Sequence, residues 1–251
     1  MRTSVVIRVR DEARALAELL RRLGAQTAPH EVVVVDSGSA DGSDAVAEQA
    51  GARVVRVARF TFGGALNDGT AVASGDVVVA LSAHALPRDD GWLARMAAAF
   101  EDPAIACVFG PERGGRRRQD AATFDPRATY SNGAGAFRRT LWERHPFRED
   151  LPACEDVEWA RWALSHGGVC LLDPALAVAH DHARDSLRAC FVRYRREARG
   201  YALIGEQPPY GARDAVREWW TDQGWHRSPA RARLDPRRVA RLAGKWAGSP
   251  R

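Results

Sequence analysis

The chain has 251 residues, 45% hydrophobic and 27% charged, with 37 basic against 32 acidic side chains and a net charge of +5. That length fits one sizeable α/β domain, alone or with a C-terminal appendage, and the composition excludes wholesale disorder. The basic groups are almost all arginine, with Lys245 the only lysine. GC-rich codons produce such a bias too, but the planar guanidinium fork still suits phosphate and carboxylate ligands.

The first half alternates strand and helix patterns. Residues 4–9 (SVVIRV) form a β-branched run, and 12–24 carry Leu16, Leu19, Leu20 and Leu23 at helical spacing. Residues 31–36 (EVVVVD) predict a buried strand, 41–50 a helix with Asp41 as its N-cap, and 53–57 a third strand. A helix over 67–74, a strand over 76–81 (DVVVAL), a helix over 90–100 and a strand over 105–109 follow. Strands apolar throughout are buried on both faces, and helices between them imply βαβ units in a parallel sheet. Ligands of such sheets bind beyond the carboxyl ends of the strands, so residues 9–12, 36–39 and 82–84 should rim one crevice.

The stretch 111–127, with its GGRRRQD, reads as a mobile polar loop that could fold over a ligand. After residues 132–142 come a helix over 155–166, a strand over 169–172 and an arginine-rich helix over 185–201. The last fifty residues hold Trp219, Trp220, Trp225 and Trp246 among arginines, in the pattern of amphipathic helices. Cys107, Cys154, Cys170 and Cys190 lack CxxC spacing and read as reduced core thiols. No leader or membrane-spanning stretch is expected, which places the chain in the cytoplasm.

Four short segments could carry chemistry. VVVDSGSADGS (33–43) puts Asp36 at a strand end before small residues, suited to a nucleotide or to a plain βα turn. LSAHALP (81–87) puts His84 at the same edge, as a metal or phosphate ligand or a surface histidine. ACEDVEWARW (153–162) opens a helix with Glu155 and Asp156, as dipole partners or as a general base. Being consecutive, they point about 100° apart, so one alone can face a site. AVAHDH (177–182) sets His180 and His182 on one side of an extended segment.

Taken in order, these segments resemble the inverting family 2 glycosyltransferases of GT-A fold, most nearly a rhamnosyltransferase-like subgroup. SVVIRVRDE and EVVVVDSGSADGS match that family's N-terminal pattern, FGGALNDGTAVASGD its next helix, and LSAHALP its metal motif. SNGAGAFRRTLW, CEDVEWA and AVAHDH match its acceptor half. The resemblance covers roughly residues 3–200. It implies a GT-A domain over 1–204, an α/β fold with a mostly parallel sheet flanked by helices, with a nucleotide half (1–110) and an acceptor half (111–204). Residues 205–251 then form a helical C-terminal segment.

The resemblance also implies roles. Asp36, with Val9, Asp11, Glu12, Ser37 and Asn67, would bind the nucleotide. Ser82, Ala83, Asn132 and Trp159 would shape the donor and acceptor pocket. Asp156 would be the base, Glu155 its support, and His182, or less so His180, would close on metal or diphosphate. Arg8 stands where the family commonly has Pro, and Asp11 where it has Asn. Ser82-Ala83-His84 replaces the Asp-x-Asp motif. Imidazole suits Mn²⁺ better than Mg²⁺, so a metal at His84 and metal-free catalysis both stay open.

The implied donor is a nucleotide-diphosphate sugar, and the acceptor a glycan, a lipid-linked or a small molecule. A non-catalytic nucleotide-sugar or glycan binder of the same fold is the alternative. A nucleotidyltransferase would carry a lysine near its Gly-rich N-terminal loop, and a dehydrogenase GxGxxG where this chain has RVRDEAR. No nucleic-acid motif is present. The C-terminal helices could cover the sheet, pair subunits, or rest on the inner face of an anionic membrane. Oligomeric state is not legible.

Overall fold

The computed structural model describes residues 1–179, 186–206, 210–221 and 236–249. Its centre is an eight-stranded sheet in the order β3-β2-β1-β4-β7-β5-β8-β6. The strands are β1 (Thr3–Val9), β2 (His30–Asp36), β3 (Arg53–Arg56), β4 (Val77–Ser82), β5 (Ile105–Phe109), β6 (Arg117–Gln119), β7 (Ala134–Arg138) and β8 (Val169–Leu172). The helices α1 (Ala13–Gly24), α2 (Ser43–Gln49), α3 (Phe62–Val72) and α4 (Trp92–Ala98) follow β1 to β4 in turn. After β7 come α5 (Arg139–Arg144) and α6 (Glu155–Ser165).

β1, β2, β3 and β4 are parallel neighbours, as the alternating pattern requires. The sheet is mostly parallel, as the GT-A resemblance implies; its antiparallel members are β7, between β4 and β5, and β6, on β8. β6 corrects the reading of 111–127 as loop throughout. Its three residues form an edge strand, where polar side chains are no obstacle.

Both faces of the sheet are covered, which explains why the strands carry apolar residues without alternation. Val5, Ile7, Val34, Val77, Val79 and Leu81 pack with Leu16, Leu19 and Leu23 of α1 and with Trp92 and Met96 of α4. Val6, Val33, Val35, Val78 and Ala80 pack on the other face with Leu66 of α3, Phe137, Phe147 and Trp159. Gly69 lets α3 approach that face closely: a Cβ there would lie 2.5 Å from Val6 Cγ1 and 2.7 Å from Val35 Cγ2. α3 also begins five residues earlier than its sequence pattern suggested. Thr61 caps it, its side chain accepting from Gly64 N, so the glycines of its first turn are carried into the helix.

The chain divides into two compact units, Met1–Asp150 with Asp156–His180, and Leu151–Glu155 with Asp181–Arg251. The second holds α7 (Leu187–Leu203), α8 (Ala212–Thr221) and α9 (Pro236–Gly248). Glu218 of α8 gathers this unit, accepting from Tyr210 Oη at 2.8 Å and Lys245 Nζ at 2.7 Å. The loop before α6 packs on α7 at Gly200, where a Cβ would collide with the carbonyl of Ala153. All four cysteines are buried and none is in a disulfide. No helix among the described residues is long and apolar enough to cross a membrane.

Candidate active site

The sheet register brings the carboxyl ends of β1, β2 and β4 to one edge. Val9 pairs with Asp36 and Arg8 with Ser82. β7 runs the other way, so its leading residues begin at that edge, with Ala134 opposite Leu81. Ser82 N donates to the Gly133 carbonyl at 3.1 Å, continuing the pairing into the loop.

The β1 and β2 loops are laced together. Asp36 is 3% exposed, and its carboxylate accepts from Gly38 N at 3.3 Å, Ser39 N at 3.2 Å and Ser39 Oγ. Asp11 has φ 52°, a left-handed conformation that asparagine and aspartate tolerate better than most residues. Its N–H donates to Ser39 Oγ at 3.0 Å and its carboxylate accepts from Ala40 N at 2.7 Å. Asp41 does not cap α2 in the expected way, because Gly42 at φ 83° is that helix's N-cap. Asp41 instead accepts from Ala13 N, at the head of α1, at 2.8 Å, and from Ser43. That Ala13 bond, with those of Ser43, holds the Asp41 carboxyl below its usual range. Within this rigid frame Ser37 Oγ is buried and has no hydrogen-bond partner. A buried hydroxyl left unsatisfied at a strand end is a natural point of contact for a ligand.

His84 Nδ1 lies 2.7 Å from Glu12 Oε1, so two residues expected to serve ligands separately form one pair. Ala83 beside it is fully buried. Leu86 and Ala179 form an antiparallel bridge, N–H to carbonyl, at 3.0 and 2.8 Å. Ala179 is thereby held beside Leu86, two residues after His84, whereas His180 and His182 lie outside the described residues. Among the described residues no three His, Cys, Asp or Glu side chains converge to hold a metal ion. Among the described residues, His84 and Glu12 are the metal-capable side chains that meet at this edge.

Asp156 comes from the first turn of α6, and Asn132 N donates to its Oδ2 at 3.2 Å. Val157 N donates to Oδ1 at 2.9 Å. Burial pushes the Asp156 carboxyl above the usual range, against the pull of those two N–H groups, of Arg8 and of Ser131. Arg8 Nη2 donates to the Asn132 carbonyl at 3.1 Å, and its guanidinium stands 5.5 Å from the Phe62 ring centre. In the sequence Arg8 stands out only as a departure at a Pro position. Its register opposite Ser82 was the missing signal. Asn132 is 1% exposed, its side-chain oxygen accepting from Tyr130 Oη at 2.7 Å while its backbone N–H meets Asp156. Cys154, two residues before Asp156, holds φ 68°, a strained value for a non-glycine residue. Glu155 is 4% exposed.

Two other candidates serve the framework. Trp159 is fully buried, its Nε1 donating to His145 O at 2.8 Å and its ring packed on Phe137 and Phe147. Asn67 donates to Phe147 O and Glu149 Oε1, both at 2.9 Å, and accepts from Trp142 Nε1 at 2.9 Å and Phe147 N at 3.0 Å. That uses its two donors and two lone pairs on protein.

A mixed sheet with ligand-type loops at one edge and a carboxylate at a facing helix start is the architecture of a GT-A transferase. The sequence profile of glycosyl transferase family 2 matches residues 4–150, and the chain belongs to that family. The match ends before Glu155 and Asp156. A comparison with curated proteins gave no match. Among solved structures, the chain is similar to a mannosyltransferase from Pyrobaculum calidifontis in complex with GDP-Man and Mn²⁺. The identity there is 22% and the TM-score 0.67, covering 98% of this chain and 72% of that one. It is similar to S. aureus TarS 1–349 in complex with UDP-GlcNAc, at 18% identity and TM-score 0.63, covering 94% and 72%. Glucosyl-3-phosphoglycerate synthase from Mycobacterium tuberculosis, in complex with Mn²⁺, UDP and glucosyl-3-phosphoglycerate, matches at 18% and TM-score 0.63, covering 82% and 81%. At these identities the likeness shows the fold.

Proposed function

We propose that this chain transfers a glycosyl group from a nucleotide-diphosphate sugar to an acceptor hydroxyl, with inversion, and that Asp156 is the base. The observation that carries the reading is the Asp156 carboxylate. Two backbone N–H groups fix it at the edge where β1, β4 and β7 meet, and burial raises its affinity for a proton. In the proposed step the acceptor oxygen attacks the anomeric carbon from the face opposite the diphosphate. The bond to the diphosphate oxygen breaks and that oxygen keeps the electron pair. The hydroxyl proton passes to Asp156. The Asp36 loop and Ser37 hold the nucleoside, Ser82 and Ala83 border the sugar, and Glu155, the first residue of α6, backs the base.

Complexes of three structural neighbours with GDP-Man, UDP-GlcNAc and UDP support a nucleotide-linked donor. The acceptor in this reading is a glycan, a lipid-linked or a small molecule, and the sugar is a hexose or deoxyhexose. The rhamnosyltransferase-like flavour rests on the sequence motifs alone. Two of these neighbours were crystallised with Mn²⁺. A divalent metal here would draw on His84 and on His182, with the diphosphate as a further ligand, and the steps above do not depend on it. Crystals soaked with Mn²⁺ and UDP or GDP test this: absence of metal density beside His84 removes the assignment.

Asp156→Asn should keep nucleoside-diphosphate binding and lose turnover by a factor of about 10² or more. Near-normal turnover in that variant would overturn the base assignment. The rival reading, a non-catalytic binder, is favoured by Ser82-Ala83-His84 and by the engagement of His84 with Glu12. Slow release of free sugar from UDP- or GDP-sugars without acceptor, abolished in Asp156→Asn, decides for the enzyme.

A further inference from the structure

Charge is divided unevenly along the chain. Residues 181–251 hold sixteen Arg and Lys against eight Asp and Glu, which leaves residues 1–180 with a net charge of −3. The basic excess lies on helices whose exposed positions fall in stripes. On α7 the exposed residues Arg188, Val192, Arg195, Arg199 and Leu203 follow one another at intervals of three or four, on a single face. On α8 the exposed Arg213, Val216 and Arg217 repeat the pattern. α9 exposes Arg237, Val239 and Trp246.

No acidic residue interrupts the α7 stripe. Glu218 is turned inward to Lys245 and Tyr210. Val192 is 47% exposed, Leu203 53%, Val216 58%, Val239 51% and Trp246 49%. Of the large exposed hydrophobics among the described residues, only Met1 and Phe60 lie elsewhere. A solvated basic face would not need aliphatic side chains between its arginines. A nucleic-acid face stacks bases on several aromatic groups, whereas among these exposed positions Trp246 stands with four aliphatic side chains. Arginine alternating with aliphatic residues on a helix is the pattern of an anionic lipid surface: guanidinium groups meet headgroup phosphates, and valine and leucine reach the acyl boundary.

We propose that the unit containing α7, α8 and α9 is a peripheral docking surface for anionic phospholipid. This does not depend on the transferase reading, although it would hold the chain at a surface where a lipid-linked acceptor is available.

Co-sedimentation of the full chain with vesicles tests it. Phosphatidylglycerol-containing vesicles should bind the protein, pure phosphatidylcholine should not, and added salt should weaken binding. Replacing Arg188, Arg195 and Arg199 together by Gln should lower partitioning about a hundredfold. Val192→Ser with Leu203→Ser should make the remaining binding wholly salt-reversible. These side chains are exposed, so unchanged circular dichroism and melting confirm that each variant folds. The proposal fails if phosphatidylglycerol vesicles do not bind at low salt, or if the triple variant binds as the parent does. It fails also if a DNA or RNA oligonucleotide displaces the protein from vesicles and binds it more tightly, which would make the surface one for polyanions.

Discussion

At the residue scale, Asp156 shows how burial and hydrogen bonding contend at a candidate base. Burial raises its pKa, and the Asn132 and Val157 N–H groups with Arg8 oppose the rise. A base works ionised, so kcat/KM should rise with pH through a value above the ~3.9 of an ordinary aspartate. A titration midpoint at or below that value would contradict the assignment. Arg8→Gln removes a charge that favours the carboxylate and should move this acid limb further up, the peptide fold being unchanged. The sign for stability is the reverse of a salt-bridged carboxylate. A native pKa raised above the unfolded one means the native state binds more protons, so stability falls as pH rises towards the native pKa. Asp156→Asn should therefore melt within a few degrees of the parent at neutral pH while losing turnover, as active-site charges often trade stability for function. Melting curves beside activity assays would separate the two.

At the scale of elements, the approach of α3 to the sheet and of α7 to the loop before α6 both depend on a missing side chain. Gly69→Ala should cost about 1–3 kcal/mol, because Val6 and Val35 of the central strands would have to move. Gly200→Ala presses on the carbonyl of Ala153, two residues before the candidate pair. Because backbone cannot swing aside as a side chain can, it should cost at least as much stability as Gly69→Ala, and it should also lower kcat roughly tenfold or more through displacement of a loop already strained at Cys154. Chemical denaturation should show a loss of stability in both variants, and steady-state kinetics a fall in kcat for Gly200→Ala beyond that of Gly69→Ala. The pattern of the helices was readable, since Leu16, Leu19, Leu20 and Leu23 mark the buried side of α1 directly. The start of α3 was not, because Thr61, Gly63 and Gly64 are poor helix formers and only the cap and the tight packing admit them.

For the whole molecule, the frame around the Asp36 loop is preformed, so a ligand there should stabilise the native state without large rearrangement. A nucleoside diphosphate at a hundred times its Kd contributes about 2.7 kcal/mol, which raises the melting temperature of a chain this size by about 5–10 °C. UDP and GDP should be screened side by side by thermal shift. Failure of both, and of the other nucleoside diphosphates, would argue against a nucleotide site at this edge.

The sequence by itself determined the alternation of strands and helices, the burial of the sheet on both faces, and the order of motifs that resembles family 2. Those properties are local or periodic, and a period of two or 3.6 is written directly in the residue order. Only the tertiary structure decided which strands run antiparallel, since β7 and β6 owe their direction to partners far along the chain. It alone paired His84 with Glu12, withdrew Asn67 and Trp159 into the framework, and set Arg8 beside the Asn132 carbonyl near Asp156. Each of those contacts joins residues between 14 and 124 positions apart. Side-chain partners at such separations follow from strand register and packing, which no window of sequence contains.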